Sequence, residues 1–284
     1  FISAIEDTVP GRYWAILVYD ESGQPVGSAM ACLYPIDAAL LCPPRPRRVL
    51  ESIRRMWPSC LRFWIVFCGL AFSAGQSQVR IARGADSSQV LRQLDKCLRH
   101  ISREVSSAAI IWKEFTEEER LQTDDLLKAG YVRGQSLPMN QFAEGFHRFD
   151  EFCGALRSHY RYKVNRSQRK FARAGFNIEH FCGAEAASRY TDEVHRLYLA
   201  VARQADVQLE ILPAEFFRQW ALRCGYAVRL TAVSQGRRIV AFAWGVVLGE
   251  TYQNVFVGLD YQLNAEYDLY FNLMASDQIG RAHV

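Results

Sequence analysis

Seven Lys and Arg residues crowd the seventeen positions from Arg157 to Arg173, in the stretch Arg-Ser-His-Tyr-Arg-Tyr-Lys-Val-Asn-Arg-Ser-Gln-Arg-Lys-Phe-Ala-Arg. No acid interrupts the chain between Glu151 and Glu179. What such a set of side chains can do is hold an anion. Like charges three or four residues apart on a helix repel, and a solvated face normally mixes signs. The run therefore points to an anionic partner, with a solvated helix face as the plainer alternative. Tyr160 and Tyr162 interleave with Arg161, Lys163 and Arg166, the combination that base stacking plus phosphate contact uses. A phosphorylated small donor or the end of an aminoacyl-tRNA fits as well. Arg161, Lys163, Arg166 and Lys170 thus stand as candidate donor-binding residues. Glu210 is a second chemical candidate, an acid among apolar neighbours in Gln208-Leu-Glu-Ile-Leu-Pro213. A carboxyl buried there would have a perturbed pKa and could serve as a base.

A helix must position the basic run. Phe149, Phe152, Cys153, Leu156, Tyr160, Val164 and Phe171 recur at helical spacing, which predicts one long helix with an apolar stripe and the bases around the remaining arc. Asp150 and Glu151 at its start, with bases toward its end, suit the helix dipole. Gly175 marks its stop. Upstream, Trp14 to Asp20, the turn Glu21-Ser-Gly-Gln-Pro25 and Val26 to Tyr34 read as a hairpin. A second hairpin, Tyr226 to Val233 and Ile239 to Leu248 around Ser234-Gln-Gly-Arg-Arg238, superposes on the first when Gly23 is aligned with Gly236.

Between the hairpins lie a basic, proline-punctuated segment (Pro43 to Pro58), a strand at Phe63 to Cys68 and a helix at Ser87 to Val105. Ser87 or Ser88 offers that helix an N-cap, and Val90, Leu91, Leu94, Leu98 and Ile101 give it a buried side. A strand at Ala108 to Trp112 follows. Then come a helix opened by a Thr116–Glu119 capping box and stopped at Gly130, and a strand at Tyr131 to Leu137. The later half adds a strand near Asn177 to Cys182, helices at Tyr190 to Arg203 and from Pro213, a strand at Tyr252 to Val257 and a helix from about Ala265. The expected fold class is α/β (α+β), with mixed, mostly antiparallel sheets flanked by helices in two half-complete copies. The first half spans 1–145 and the second 146–278. Residues 279–284 break the helical periodicity and read as a non-native tail, so both ends read as incomplete.

Bulk properties exclude some classes. The chain carries 34 Lys+Arg against 30 Asp+Glu, so the basic run alone accounts for its positive sign. Its longest strongly apolar run, Phe63 to Phe72, falls far short of the roughly 18 residues a membrane span needs. No signal-peptide pattern opens it. Its eight cysteines form no C-x-x-C pair and its six histidines are dispersed, which reads as a cytoplasmic protein with reduced core thiols and no metal site.

The order of elements, together with Phe149-Asp-Glu-Phe, Leu156-Arg-Ser-His-Tyr-Arg-Tyr-Lys-Val-Asn-Arg-Ser-Gln-Arg-Lys-Phe171 and Gly258-Leu-Asp-Tyr-Gln-Leu-Asn-Ala-Glu-Tyr-Asp-Leu-Tyr-Phe-Asn-Leu-Met274, resembles the GNAT superfamily. Within it, the chain is most similar to the bacterial tandem branch related to Fem-type peptidyl transferases of cell-wall synthesis. There a domain opens on a basic helix and later shows a hairpin, a strand ending in Gly-x-Asp and a helix packed behind it. The resemblance covers Phe149 to Met274 well and the first half more loosely.

It implies tandem GNAT-like units and transfer of an acyl or aminoacyl group to an amine. The donor would be an acyl-CoA or an aminoacyl-tRNA, and the acceptor a small molecule or a cell-wall precursor held between the halves. Asp260, after the fourth strand of the unit, would act as base or substrate anchor. Tyr252 and Tyr270 would donate to the leaving group, and Asn264 would join the donor contacts. The usual phosphate loop is replaced by Asp260-Tyr-Gln-Leu-Asn-Ala-Glu266, which has no glycine, and Asn264 reads as a plain N-cap with acids beside it. Gly69 to Gly84 supplies glycines with Arg80 and Arg83, but not the spacing. Both observations argue against coenzyme A at its usual place, and Fem-type relatives that take aminoacyl-tRNA lack the loop too. The competing readings are a non-enzymatic module whose 157–173 helix clamps nucleic acid or another polyanion, and a catalytically dead copy.

Overall fold

The computed structural model describes residues 1–41, 49–50, 52–70, 77–135, 149–205 and 211–279. The chain divides into two compact units, Pro10–Asn140 with Val207–Glu210, and Phe1–Val9 with Gln141–Asp206 and Ile211–Val284. The first helix, α1 (Ile2–Thr8), thus belongs with the later unit.

The earlier unit is built on the hairpin β1 (Arg12–Tyr19) and β2 (Pro25–Asp37). Its turn closes because the Asp20 carboxylate accepts the Ser22 and Gln24 N–H groups while Gly23 takes φ 79°. Strand β2 pairs antiparallel with β3 (Arg62–Cys68) along its far half and with β4 (Val79–Ile81) along its near half. Since β1 holds the other edge of β2, β3 and β4 lie end to end, as one strand interrupted between Gly69 and Gln78. Helix α2 (Ser87–Glu104) then returns the chain to β5 (Ala109–Trp112), parallel to β3.

The α2 spacing holds. Val90, Leu91, Leu94, Leu98 and Ile101 pack on Ile16, Ala29, Ala31, Leu33 and Val66 from the inward-facing strand positions. The helix runs so close over β2 that a side chain at Gly27 would meet the Val90 methyl. Its N-cap is Asp86, one residue before the expected serines, with its carboxylate accepting the Ser88 and Gln89 N–H groups. The Thr116–Glu119 box forms in both directions (2.8 and 3.3 Å), and a turn of 3₁₀ helix then leads into α3 (Asp124–Lys128).

No strand forms at Tyr131–Gln135, and 136–137 lie outside the described residues. Here the tertiary contacts override local propensity. The Tyr131 hydroxyl donates to Asp95 at 2.6 Å and the Arg99 guanidinium lies over its ring, tying the segment to α2 instead of a sheet edge.

The later unit contains α4 (Phe149–Ala155), α5 (Ser158–Arg173), β6 (Phe176–Cys182), α6 (Gly183–Arg189), α7 (Asp192–Gln204) and α8 (Ala214–Cys224). Strands β7 (Val228–Gln235), β8 (Arg238–Leu248) and β9 (Thr251–Leu259) follow, then α9 (Tyr261–Tyr267) and α10 (Leu269–Ile279). The sheet runs β6-β7-β8-β9, antiparallel throughout. One face carries an aromatic core in which Tyr190, Phe217, Phe242 and Trp244 pack ring to ring with α7 and α8. The other is covered by Phe171, Leu269 and Leu273 over Val233, Ala241, Ala243 and Leu259. Covered on both sides, β8 is fully buried from Val240 to Trp244. Helix α1 adds Phe1, whose ring packs on Phe216 and Trp220.

Together these are two mixed α/β units, each a sheet flanked by helices. Among the described residues no helix is long and apolar enough to cross a membrane. Nor, among them, do three or more His, Cys, Asp or Glu gather as a metal site.

Candidate functional site

The basic run does not sit on one long helix. It breaks at Arg157, whose extended backbone (φ −56°, ψ 146°) separates α4 from α5. Arg161 holds the break. Its guanidinium donates to the Cys153, Gly154 and Leu156 carbonyls at 3.0, 2.8 and 2.9 Å, satisfying the open C-terminal end of α4. One of the four expected donor-binding cations is therefore committed to a helix cap.

On α5 the buried side consists of Val164, Ser167 and Phe171, narrower than the stripe read from sequence. Tyr160 is 55% exposed and falls outside it. The buried side is pinned by the Phe171–Phe176 ring contact at 5.1 Å and by a buried hydrogen bond from Asn272 Nδ2 to Ser167 Oγ at 3.0 Å. At 3.6 residues per turn, Lys163, Arg166 and Lys170 line one flank of the helix, while Arg169 and Arg173 point most directly away from the buried side. All five are exposed. Among the described residues no acid forms an ion pair with any of them. Arg169 donates to the Asn165 carbonyl, and Lys170 Nζ sits 6.0 Å from the Tyr267 ring centroid, in cation–π range. Asn165, Gln168, Arg169 and Ala172 line a shallow surface depression of about 390 Å³ on this helix.

Asp260 caps α9. Its Oδ1 accepts the Gln262 and Leu263 N–H groups at 3.2 and 3.3 Å, and its Oδ2 accepts from Arg238 at 3.0 Å. The N-cap read at Asn264 is thus four residues too late, because Asp260 reaches the free N–H groups first. Asn264 has a different task. Asp268, in the left-handed region at φ 52°, ends α9, and the Asn264 Oδ1 accepts the Tyr270 N–H at 2.8 Å to start α10. The helix expected from about Ala265 is therefore two helices, and the structure brings Asn264 and Tyr270 together at their junction. The Tyr270 side chain is 47% exposed.

Tyr252, on the edge strand β9, lies with its ring across Gly245 of β8, where any side chain would collide with it. Next to Gly245 the pairing slips, leaving Val255 as an extra residue on β9. Glu210 lies outside the described residues.

Sequence reading passed over one constellation in the earlier unit. Lys113 and Glu114 follow β5 at the carboxyl ends of the parallel pair β3 and β5, the end of an α/β sheet where ligands are found. Their side chains are only 15% and 12% exposed, with Lys113 Nζ 3.6 Å from Glu114 and donating to the Leu70 carbonyl at 3.0 Å. Glu114 is in the left-handed region at φ 64°, a strained backbone for a non-glycine residue. Just beyond, a cleft of about 340 Å³ opens between β4 and Phe115, with Ile81, Gly84, Ser87 and Leu91 among its walls. Two opposite charges directly after the apolar run Ala109–Trp112 were the available signal, although that strand is half exposed rather than buried.

No curated protein matches the chain. Among solved structures, it is similar to a single-site mutant of the BH1408 protein from Bacillus halodurans, at 12% identity and TM-score 0.32, over 50% of this chain and 73% of that one. It is also similar to the C-terminal DUF2156 domain of a protein assigned as a lysylphosphatidylglycerol synthetase from Agrobacterium fabrum. That match has 11% identity and TM-score 0.42, over 93% of this chain and 68% of that one. Likenesses this distant support no argument about mechanism. The sequence profile of the FemAB-like family, described as peptidoglycan biosynthesis/recognition, matches residues 71–256 and so runs from the interrupted strand of the earlier unit through the basic helix to β9. The chain belongs to the FemAB-like family.

Proposed function

We propose that this protein is an aminoacyltransferase of GNAT-like build that takes its acyl group from a charged tRNA and delivers it to an amine of a peptidoglycan precursor. The observation that carries the donor assignment is the exposed basic flank of α5. Lys163, Arg166 and Lys170 stand exposed along one flank of a helix whose buried side is pinned by Phe171 and the Ser167–Asn272 hydrogen bond. Mutual repulsion on such a face is relieved by a polyanion, and exposed Tyr160 and Tyr162 beside it offer stacking surfaces. The family supports the acceptor class.

A charged tRNA is favoured over acyl-CoA by the start of α9. A phosphate would need the N–H groups there, and Asp260 has filled them with its own carboxylate. For the transfer itself, the ester carbonyl must be polarised and the attacking ammonium must lose a proton. The bulge at Val255 takes a backbone amide of β9 out of register, which suits the first task. Both Asp260 oxygens are already engaged, so Asp260 anchors α9 and Arg238, while Glu210 and Tyr252 keep the candidate base and acid roles. A non-enzymatic polyanion clamp is the less favoured alternative, because the profile match extends well beyond the basic helix.

Thermal unfolding of the full chain with each donor tests the assignment. A stabilising shift with charged tRNA and none with acyl-CoA is expected. The reverse would reassign the donor, and no shift with either would remove the transferase reading.

A further inference from the structure

The basic, proline-punctuated segment of the earlier unit has no part in the proposed transfer. From Pro43 to Arg62 the sequence carries six arginines (45, 47, 48, 54, 55 and 62) against the single acid Glu51. One of them builds a firm scaffold. Arg54 grips the Asp37 carboxylate with both terminal nitrogens, at 2.8 and 2.5 Å, and donates through Nε to the Cys60 carbonyl at 2.9 Å. Backbone bonds from Trp57 to Ile53 and from Cys60 to Trp57 close the turn. The turn holds apolar side chains outward, with Met56 92% exposed, Trp57 63% and Ile53 42%. Arg55 is exposed beside them, and Arg62 is 59% exposed where β3 begins.

We propose that this turn docks the protein on an anionic bilayer surface, with Met56 and Trp57 entering the headgroup region. Leaving a Met and a Trp in water forgoes the gain of burying them, and their projection from a convex turn suits insertion into a soft surface better than filling a pocket. Trp favours the membrane–water interface, and arginines beside it are attracted to anionic headgroups. The fixed turn means that little order must be acquired on docking. An acidic protein surface would match the charge but not the protruding apolar pair.

Co-sedimentation of the full chain with vesicles of two parts phosphatidylcholine to one part phosphatidylglycerol tests this, with pure phosphatidylcholine as the comparison. Binding to the mixed vesicles alone is expected. The double variant Met56→Ser/Trp57→Ser should lower partitioning at least about tenfold, and Arg55→Gln about fivefold. All three side chains are exposed, so melting temperatures should stay at the parent value. The variant Lys163→Gln/Arg166→Gln/Lys170→Gln should bind vesicles as the parent does, which separates this turn from α5. Parental binding by the double variant, equal binding to both vesicle types, or no binding would overturn the proposal. So would loss of self-association in the double variant, in sedimentation velocity without lipid, since that would make the turn a protein contact.

Discussion

Replacing Lys163, Arg166 and Lys170 by Gln should flatten the salt dependence of tRNA binding. The three Cα atoms span seven helical steps, about 10 Å at about 1.5 Å per residue. That length matches about three phosphate spacings along a duplex strand, at about 3.4 Å of axial rise each, enough for each cation to meet its own phosphate. Each neutralised phosphate contributes a slope of about −0.9 in log K against log salt, so three contribute about −2.7. Over a fourfold rise in salt that is about 1.6 decades, a loss of roughly 40-fold for the parent that the triple variant would not show.

Filter binding or fluorescence anisotropy across a salt series reads both slopes directly. Arg161→Gln is the internal contrast. It removes three hydrogen bonds to the end of α4, so it should lower the melting temperature and leave the slope alone. If the triple variant keeps the parental slope, the α5 face is merely solvated and the donor reasoning fails.

Three further outcomes concern the scaffold. Gly258→Ala would drive a methyl into the buried Phe242 ring and the Leu197 side chain, costing about 1–3 kcal/mol as a lower melting temperature; parental stability would mean that ring can shift. Asp95→Ala leaves the Tyr131 hydroxyl without its acceptor, at a cost of about 1–3 kcal/mol in denaturant unfolding. That hydroxyl, pushed up to about 12 by burial and by Asp95, should then titrate at lower pH in absorbance. Burial against Tyr198 and Phe217 holds His195 below its ordinary 6.5. The unfolded chain therefore takes up a proton that the folded one refuses. Stability from this group is complete above 6.5 and declines as pH falls below it, and His195→Gln should flatten that part of the melting profile.

Local signals carried much of this fold. Both hairpins, the buried face of α2 and the Thr116–Glu119 box were legible because alternation, helical spacing and capping chemistry act within a few residues. The failures share a different cause. The break at Arg157 depends on a guanidinium reaching back to three carbonyls, and the late N-cap at Asn264 on Asp260 getting there first. The missing strand after Tyr131 depends on partners more than thirty residues away. In the candidate site, the cations were legible as a charge run, but which of them face outward was not. Arg161 left the set through a contact that charge counting does not show. Lys113 and Glu114 escaped notice because their significance comes from the parallel β3–β5 pairing and a left-handed backbone.

The most direct test of the central claim follows label from the aminoacyl group of a charged tRNA onto a muramyl-peptide amine in the presence of the purified chain. The account predicts labelled peptide with the parent, little with the Lys163, Arg166, Lys170 triple variant, and none when acyl-CoA is the donor. Transfer from acyl-CoA instead, or undiminished transfer by the triple variant, would contradict it.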